Sequence, residues 1–236
     1  MDIVLIPGFW LDGDSWRDVA APLAAAGHRI HSLTLPGLES RDADRRDITL
    51  TDHVDAVVAT LDALDSPAVL VGHSGGGAIA WGAVDARPHR VARVIYVDSF
   101  PLADGHMIND ELPVVDGEVP LPEWSFFEAD DLIDLDEERR AHFRSIAIPE
   151  PARVASDPIR LGDPARYEVP ATVICCEFTG AQLTAWTEGG FASELPLTRD
   201  LELVDLPTGH WPQFTKPHEL ADTIRAVVDA GAGPSR

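Results

Sequence analysis

The chain has 236 residues, of which 45% are hydrophobic and 25% charged, with a formal net charge of −22. A domain of this size hides roughly 70–75% of its unfolded surface, enough for a rigid sheet and a pocket, so one domain with an insertion is expected. The charge repels phosphate backbones and anionic lipid, which argues against nucleic-acid and membrane partners and leaves a small-molecule substrate.

The amino-terminal MDIVLIPGFW holds an acid at position 2 and only a four-residue apolar run before Pro7, which is neither a signal peptide nor a membrane span. The only two cysteines, Cys175 and Cys176, are neighbours and close no useful loop. A cytoplasmic location is the expectation. The pair has no His or Cys at ligand spacing, so no metal is expected.

Along the chain, short apolar runs alternate with segments of helical period. The runs are Ile3–Ile6, Ile30–Leu35, Ala68–Val71, Val94–Val97, Ala171–Cys176 and Leu201–Leu206. The segments between them, Ser15–Ala26, Thr51–Leu64, Gly76–Arg87, Ala181–Phe191 and Pro217–Ala230, are expected to be helices. Val54, Val57, Val58, Leu61 and Leu64 form an i, i+3, i+4, i+7 stripe, and Leu220, Ile224, Val227 and Val228 form another. Such alternation means a mostly parallel open sheet with helices on both faces.

The alternation breaks once. A proline-rich and acidic segment with one expected helix, Asp136–Ser145, separates two strands. It divides the chain into a core of 1–100 and 169–236 and an inserted lid of 101–168. Its acids Asp130, Asp131, Asp134, Asp136, Glu137 and Glu138 lack calcium-loop spacing and are expected on a solvated face. The tail Gly231–Arg236 is expected to fray.

Three stretches carry chemistry. Gly72-His73-Ser74-Gly75-Gly76 fits G-x-S-x-G between an apolar run and an Ala-rich helix. That pattern suits a sharp strand-to-helix turn with the Ser74 hydroxyl at its apex, over free helix N–H groups. Gly75 to Ala80 also fits a dinucleotide fingerprint, with Asp98 where a ribose-binding acid belongs. Two further turns weigh against that alternative. Pro7-Gly8-Phe9-Trp10 follows the first strand, so the N–H groups of Phe9 and Gly75 can form an oxyanion pair. Thr208-Gly209-His210-Trp211-Pro212 follows the last strand and can bring His210 to Ser74 as a general base.

Together, PGFW, GHSGG and GHWPQF resemble the motifs of the α/β-hydrolase superfamily over nearly the whole chain, with Pro7 in place of the usual histidine. The resemblance implies a Ser-His-acid triad, a variable lid and no cofactor. Its commonest acid position falls near Phe178, which cannot serve. Asp98, at the end of the Val94–Val97 run, and Glu177, one step early after Ala171–Cys176, remain as candidates, with Asp98 preferred and Asp205 third.

Trp10, Trp124, Phe127 and Trp211 are candidate walls of the substrate pocket. His106 lies in the lid within possible reach of substrate, whereas His28, His53, His89, His142 and His218 are expected at the surface. His73 should point away from Ser74. The leading reaction is hydrolysis of a small carboxylic ester, lactone or thioester through an acyl group on Ser74. The main alternative is a non-catalytic binder on the same fold. Hydroxynitrile lyase-type cleavage is disfavoured because its lid lysine is missing: the only lysine, Lys216, lies outside the lid.

Overall fold

The computed structural model describes residues 1–231. Six strands form one sheet: β1 (Asp2–Ile6), β2 (Arg29–Ser32), β3 (Ala68–His73), β4 (Val91–Val97), β7 (Ala171–Cys175) and β8 (Leu201–Asp205). Their spatial order is β2-β1-β3-β4-β7-β8. Every pairing in this sheet is parallel. A small antiparallel pair, β5 (Glu118–Val119) and β6 (Glu150–Pro151), lies in the segment between β4 and β7.

The central strands β1 and β3 are buried at every position. That explains why they read as continuous apolar runs rather than alternating ones. Helices α1 (Arg17–Ala25) and α8 (Pro217–Gly231) cover one face through Val19, Leu23, Leu220 and Ile224. Helices α2 (Leu50–Ala63) and α3 (Gly75–Ala86) cover the other, with Val57, Leu61, Ile79 and Trp81 in its core. Helix α6 (Gly180–Glu188) joins β7 to β8. The chain steps from β1 out to β2, then back across β1 to β3. The β1 and β3 carboxyl ends therefore flank a topological switch point, where open sheets of this kind bind ligands.

Element ends differ from expectation for local reasons. The first helix begins as a 3-10 turn, Gly13–Trp16, because Asp12 accepts from Asp14 N–H and its carbonyl accepts from the Ser15 hydroxyl. Strand β2 stops at Ser32; Leu33 N–H still donates to Leu5 O, but Thr34 Oγ1 then turns to accept from Gly13 N–H. Helix α2 starts one residue early on a reciprocal Thr49–Asp52 capping box. The helix expected at Asp136–Ser145 appears as α4 (Glu137–Ile146), capped by Asp136, and a short α5 (Ala152–Ser156) follows β6. Cys175 and Cys176 face opposite cores. Of the tail expected to fray, Gly231 ends α8 and 232–236 lie outside the described residues. Among the described residues, no helix is long and apolar enough to cross a membrane.

Two expectations fail on burial. His53 is not at the surface: it is fully buried on α2, with Nε2 donating to Pro36 O at 2.8 Å. Asp131 is not part of a solvated acidic face, because its segment folds back over the β-strand ends and carries it into a cavity.

Candidate active site

Ser74 sits between β3 and α3 with φ 51° and ψ −125°. A left-handed backbone costs a non-glycine residue roughly 1–2 kcal/mol, so the surroundings must hold it. Here Ser74 N–H donates to Val97 O at 3.1 Å, and Ser74 O accepts from Gly77 N–H and the Ser99 hydroxyl at 2.9 and 2.8 Å. The bend also requires glycine at 72 and 76. A Cβ on Gly72 would fall 2.4 Å from Gly76 O, and one on Gly76 would fall 2.4 Å from Pro7 O.

The loop after β8 brings His210 to this bend. His210 Nε2 lies 2.8 Å from Ser74 Oγ, and Nδ1 lies 2.8 Å from Asp98 Oδ2. A carboxylate only accepts, so Nδ1 carries the proton and Nε2 accepts from the serine hydroxyl. Asp98 directly follows β4 at φ 47° and is 4% exposed, more deeply buried than the half-buried site its sequence position suggests. Its Oδ1 accepts from the N–H groups of Cys176 and Glu177 at 2.9 and 3.1 Å, leaving Oδ2 for the histidine. Both sequence candidates for the acid thus converge on one imidazole, because Glu177 Oε2 stands 3.3 Å from the same Nδ1. Asp98 has the closer contact and the fixed orientation. Asp205 is elsewhere, accepting from Gly180 N–H.

Burial disfavours the His210 cation, but contacts with Asp98 and Glu177, and their charges, oppose that and raise the imidazole above its usual range. Asp131 faces the same cluster. Burial, then a hydrogen bond with Glu177, raises its carboxyl to about 6. Asp98, Glu177 and His210 are also the one group of ligand type at metal spacing among the described residues. The protonated Nδ1 between the two acids, and the two N–H donors on Asp98 Oδ1, suit a proton there rather than a cation.

His73 does point away from Ser74, and it has work of its own. It is fully buried, and its Nε2 donates to the carbonyl of His210 at 2.6 Å, while Nδ1 accepts from the Gln213 amide at 3.2 Å. Burial, then the charge of His210, lowers it to about 3, so it stays neutral while it anchors the loop that carries His210. The residue beside a nucleophile in the motif gave no hint of that role.

The inserted segment anchors the same loop from above. Gly209 N–H donates to Ile133 O, and His210 N–H donates to Asp131 O at 2.8 Å. A Cβ on Gly209 would fall 2.4 Å from Asp131 O, so the loop needs glycine to accept this neighbour.

Phe9 and Gly75 face each other across the switch point, the Phe9 ring resting on Gly75. Gly75 is the first residue of α3, where an N–H has no intrahelical acceptor. Neither its N–H nor that of Phe9 is used in a hydrogen bond among the described residues. The glycines are packed against Phe9, Pro7 and Ser99, and Asp98 is turned to His210, so the dinucleotide pattern has neither a cradle nor a free ribose acid.

A cavity of about 440 Å³ opens over Ser74. Trp10, Phe127 and Trp211 line it, and Phe100, Ile108 and Leu112 extend its apolar wall. Trp124 does not line it. It lies behind the wall, packed edge-on against Trp211 and Phe143 with ring centroids 6.1 and 5.7 Å away. His106 is exposed and does not line it either. Composition hides this distinction, because a wall aromatic and its backing aromatic read alike in sequence.

Comparison with known proteins agrees with this architecture. The family model described as "Alpha/beta hydrolase family" matches residues 3–223. A carbendazim hydrolyzing esterase from Nocardioides sp. is 32% identical over 114 residues, 48% of this chain and 47% of that protein. The chain thus matches only about half the length of that relative. A pyrethroid hydrolase from Sphingobium wenxiniae is 29% identical over 258 residues, 98% of this chain and 89% of that protein. Among solved structures, an extracellular alpha/beta-hydrolase from a Paenibacillus species superposes with a TM-score of 0.77 at 20% identity, over 96% of this chain and 98% of that one.

Proposed function

The chain belongs to the alpha/beta hydrolase family, and from that premise we propose that it is a serine hydrolase of small carboxylic esters. The observation that carries the proposal is His210 held between Asp98 and Ser74 at 2.8 Å on each side. The names of its curated relatives, an esterase and a pyrethroid hydrolase, support the same bond type.

In this mechanism Ser74 Oγ attacks the ester carbonyl and His210 Nε2 takes its proton. Asp98 holds the Nδ1 tautomer and stabilises the imidazolium. The carbonyl oxygen becomes an oxyanion beside the N–H groups of Phe9 and Gly75, each such donor contributing roughly 2.7–4 kcal/mol to the transition state. His210 returns the proton to the leaving alkoxide, and an acyl group stays on Ser74. Water, deprotonated by His210, then releases the acid and restores the hydroxyl. The cavity of about 440 Å³ suits a small ester with an apolar or aromatic body. Both cysteines are free and buried, which suits a reducing, cytoplasmic setting.

A fluorophosphonate probe tests the proposal. Labelling and turnover of a short-chain p-nitrophenyl ester are expected in the wild type and absent in Ser74→Ala. Undiminished labelling of Ser74→Ala would reject Ser74 as the nucleophile.

A further inference from the structure

Trp10 is the strained residue of the turn after β1, a bulky side chain at φ 67°. Within its own turn only the Phe9 ring packs against it, edge-on at 6.0 Å between centroids. Its three hydrogen bonds among the described residues all reach into the segment between β4 and β7. Trp10 N–H donates to Glu150 Oε2 at 3.2 Å, its carbonyl accepts from Ile148 N–H at 2.9 Å, and its indole N–H donates to Val119 O at 3.0 Å. Glu150 and Val119 are register partners in the β5–β6 pair, so one small sheet grips both ends of the tryptophan. That sheet is itself anchored to the core. Arg45, 1% exposed, donates to Glu118 Oε1 at 2.7 Å and to Gly37 O at 3.0 Å.

Glu150 is 1% exposed and has no Lys or Arg bonded to it among the described residues. His53 on α2 faces it, with Nδ1 3.8 Å from Oε1, beyond direct hydrogen-bond reach. Arg45 from the loop before α2 acts on it only through space. Burial pushes the Glu150 carboxyl up to about 8 and the His53 imidazole down to about 4, so both are neutral near pH 7. A charged acid in so apolar a stretch as Ile148-Pro149-Glu150-Pro151 would be a poor choice for packing alone. A neutral one can accept from Trp10 N–H without placing a negative charge behind the turn.

We infer that Glu150 is a positioning residue for the oxyanion turn: through Trp10 N–H it sets the peptide next to Phe9 N–H, so the inserted segment helps to build the catalytic apparatus as well as to roof the cavity. This rests on the proposed roles of Ser74 and of the Phe9 and Gly75 donors. A shift of about 1 Å in such a donor lowers turnover by up to roughly 10²-fold while leaving ground-state binding alone.

The test uses the full chain and a p-nitrophenyl ester, with active sites counted by fluorophosphonate. A trifluoromethyl ketone serves as transition-state analogue: Ser74 Oγ adds to its carbon, the proton passes to His210, and the ketone oxygen becomes the oxyanion. Glu150→Met, similar in volume but without an acceptor, is expected to lower kcat about 10- to 100-fold at unchanged KM, and to weaken the ketone in proportion. Glu150→Gln, which keeps an acceptor at the same reach, should stay within about threefold of wild type. Wild-type kcat and ketone affinity in Glu150→Met, or equal damage in Glu150→Gln, would overturn the inference. If Glu150→Met does not fold, Glu150→Asp decides: its shorter arm should lower kcat at constant KM, and wild-type values would overturn the inference. Labelling that survives Ser74→Ala would instead remove the underlying hydrolase proposal, so the two failures are distinguishable.

Discussion

Asp98 and Glu177 stand on the same imidazole nitrogen but differ in what holds them. Two backbone N–H groups fix Asp98 Oδ1, whereas Glu177 Oε2 stands 3.3 Å from Nδ1 with no backbone N–H holding it. Asp98→Asn is therefore expected to lower kcat by at least about 10²-fold, since it removes the group that fixes the His210 tautomer. Glu177→Gln should act differently. It takes away one of two carboxylates that raise His210. In the proposed mechanism His210 works only when neutral, so the acidic limb of the kcat/KM profile should move to lower pH, with the maximal kcat within a few-fold of wild type. A profile that stays in place would show that Glu177 does not reach the imidazole in solution. The sequence left these two acids open because a one-residue step at a strand end changes the side a residue faces. Only the path of the chain after β4 and β7 shows that both turn inward.

At the scale of elements, helix ends and the long internal segment separate what a sequence pattern can carry from what it cannot. The α2 stripe is local and appears where the pattern puts it, within a residue, and the structure adds the equally local Thr49–Asp52 box. Thr49→Ala should cost about 1 kcal/mol in a urea melt with no change in kcat, because the cap is remote from Ser74. The segment between β4 and β7 is different. Its contacts with the base loop and with Trp10 join residues far apart in the chain. No periodicity announces them, and so Asp131 and Trp124 are misplaced by a reading of sequence alone. Gly209→Ala probes this seam directly. The added methyl would strike Asp131 O, so kcat should fall at least tenfold, with the loss read against active sites counted by labelling.

Across the whole molecule, 40 acids face 18 lysines and arginines. Mutual repulsion at a net charge of −22 opposes compaction, and salt screens it within about 8–10 Å at physiological strength. The thermal midpoint should rise by several degrees between roughly 10 mM and 500 mM sodium chloride, where about 1 kcal/mol moves a chain of this size by 2–4 °C. A midpoint that falls with salt would mean that the surface ion pairs outweigh the repulsion.

The sequence alone determined the strand–helix alternation, the parallel sheet, the elbow at Ser74 and the selection of His210 among nine histidines. Each depends on a signal contained in a few consecutive residues: an apolar run, a glycine-flanked serine, a histidine in a Gly/Pro loop. Tertiary structure decided which carboxylate meets His210, which aromatics face the cavity, and that Glu150 and His73 brace the two turns from behind. Those outcomes depend on distances between segments up to 140 residues apart. Such distances are set by how β4, β7 and β8 stack in register and where the intervening chain folds back, and no local pattern encodes them.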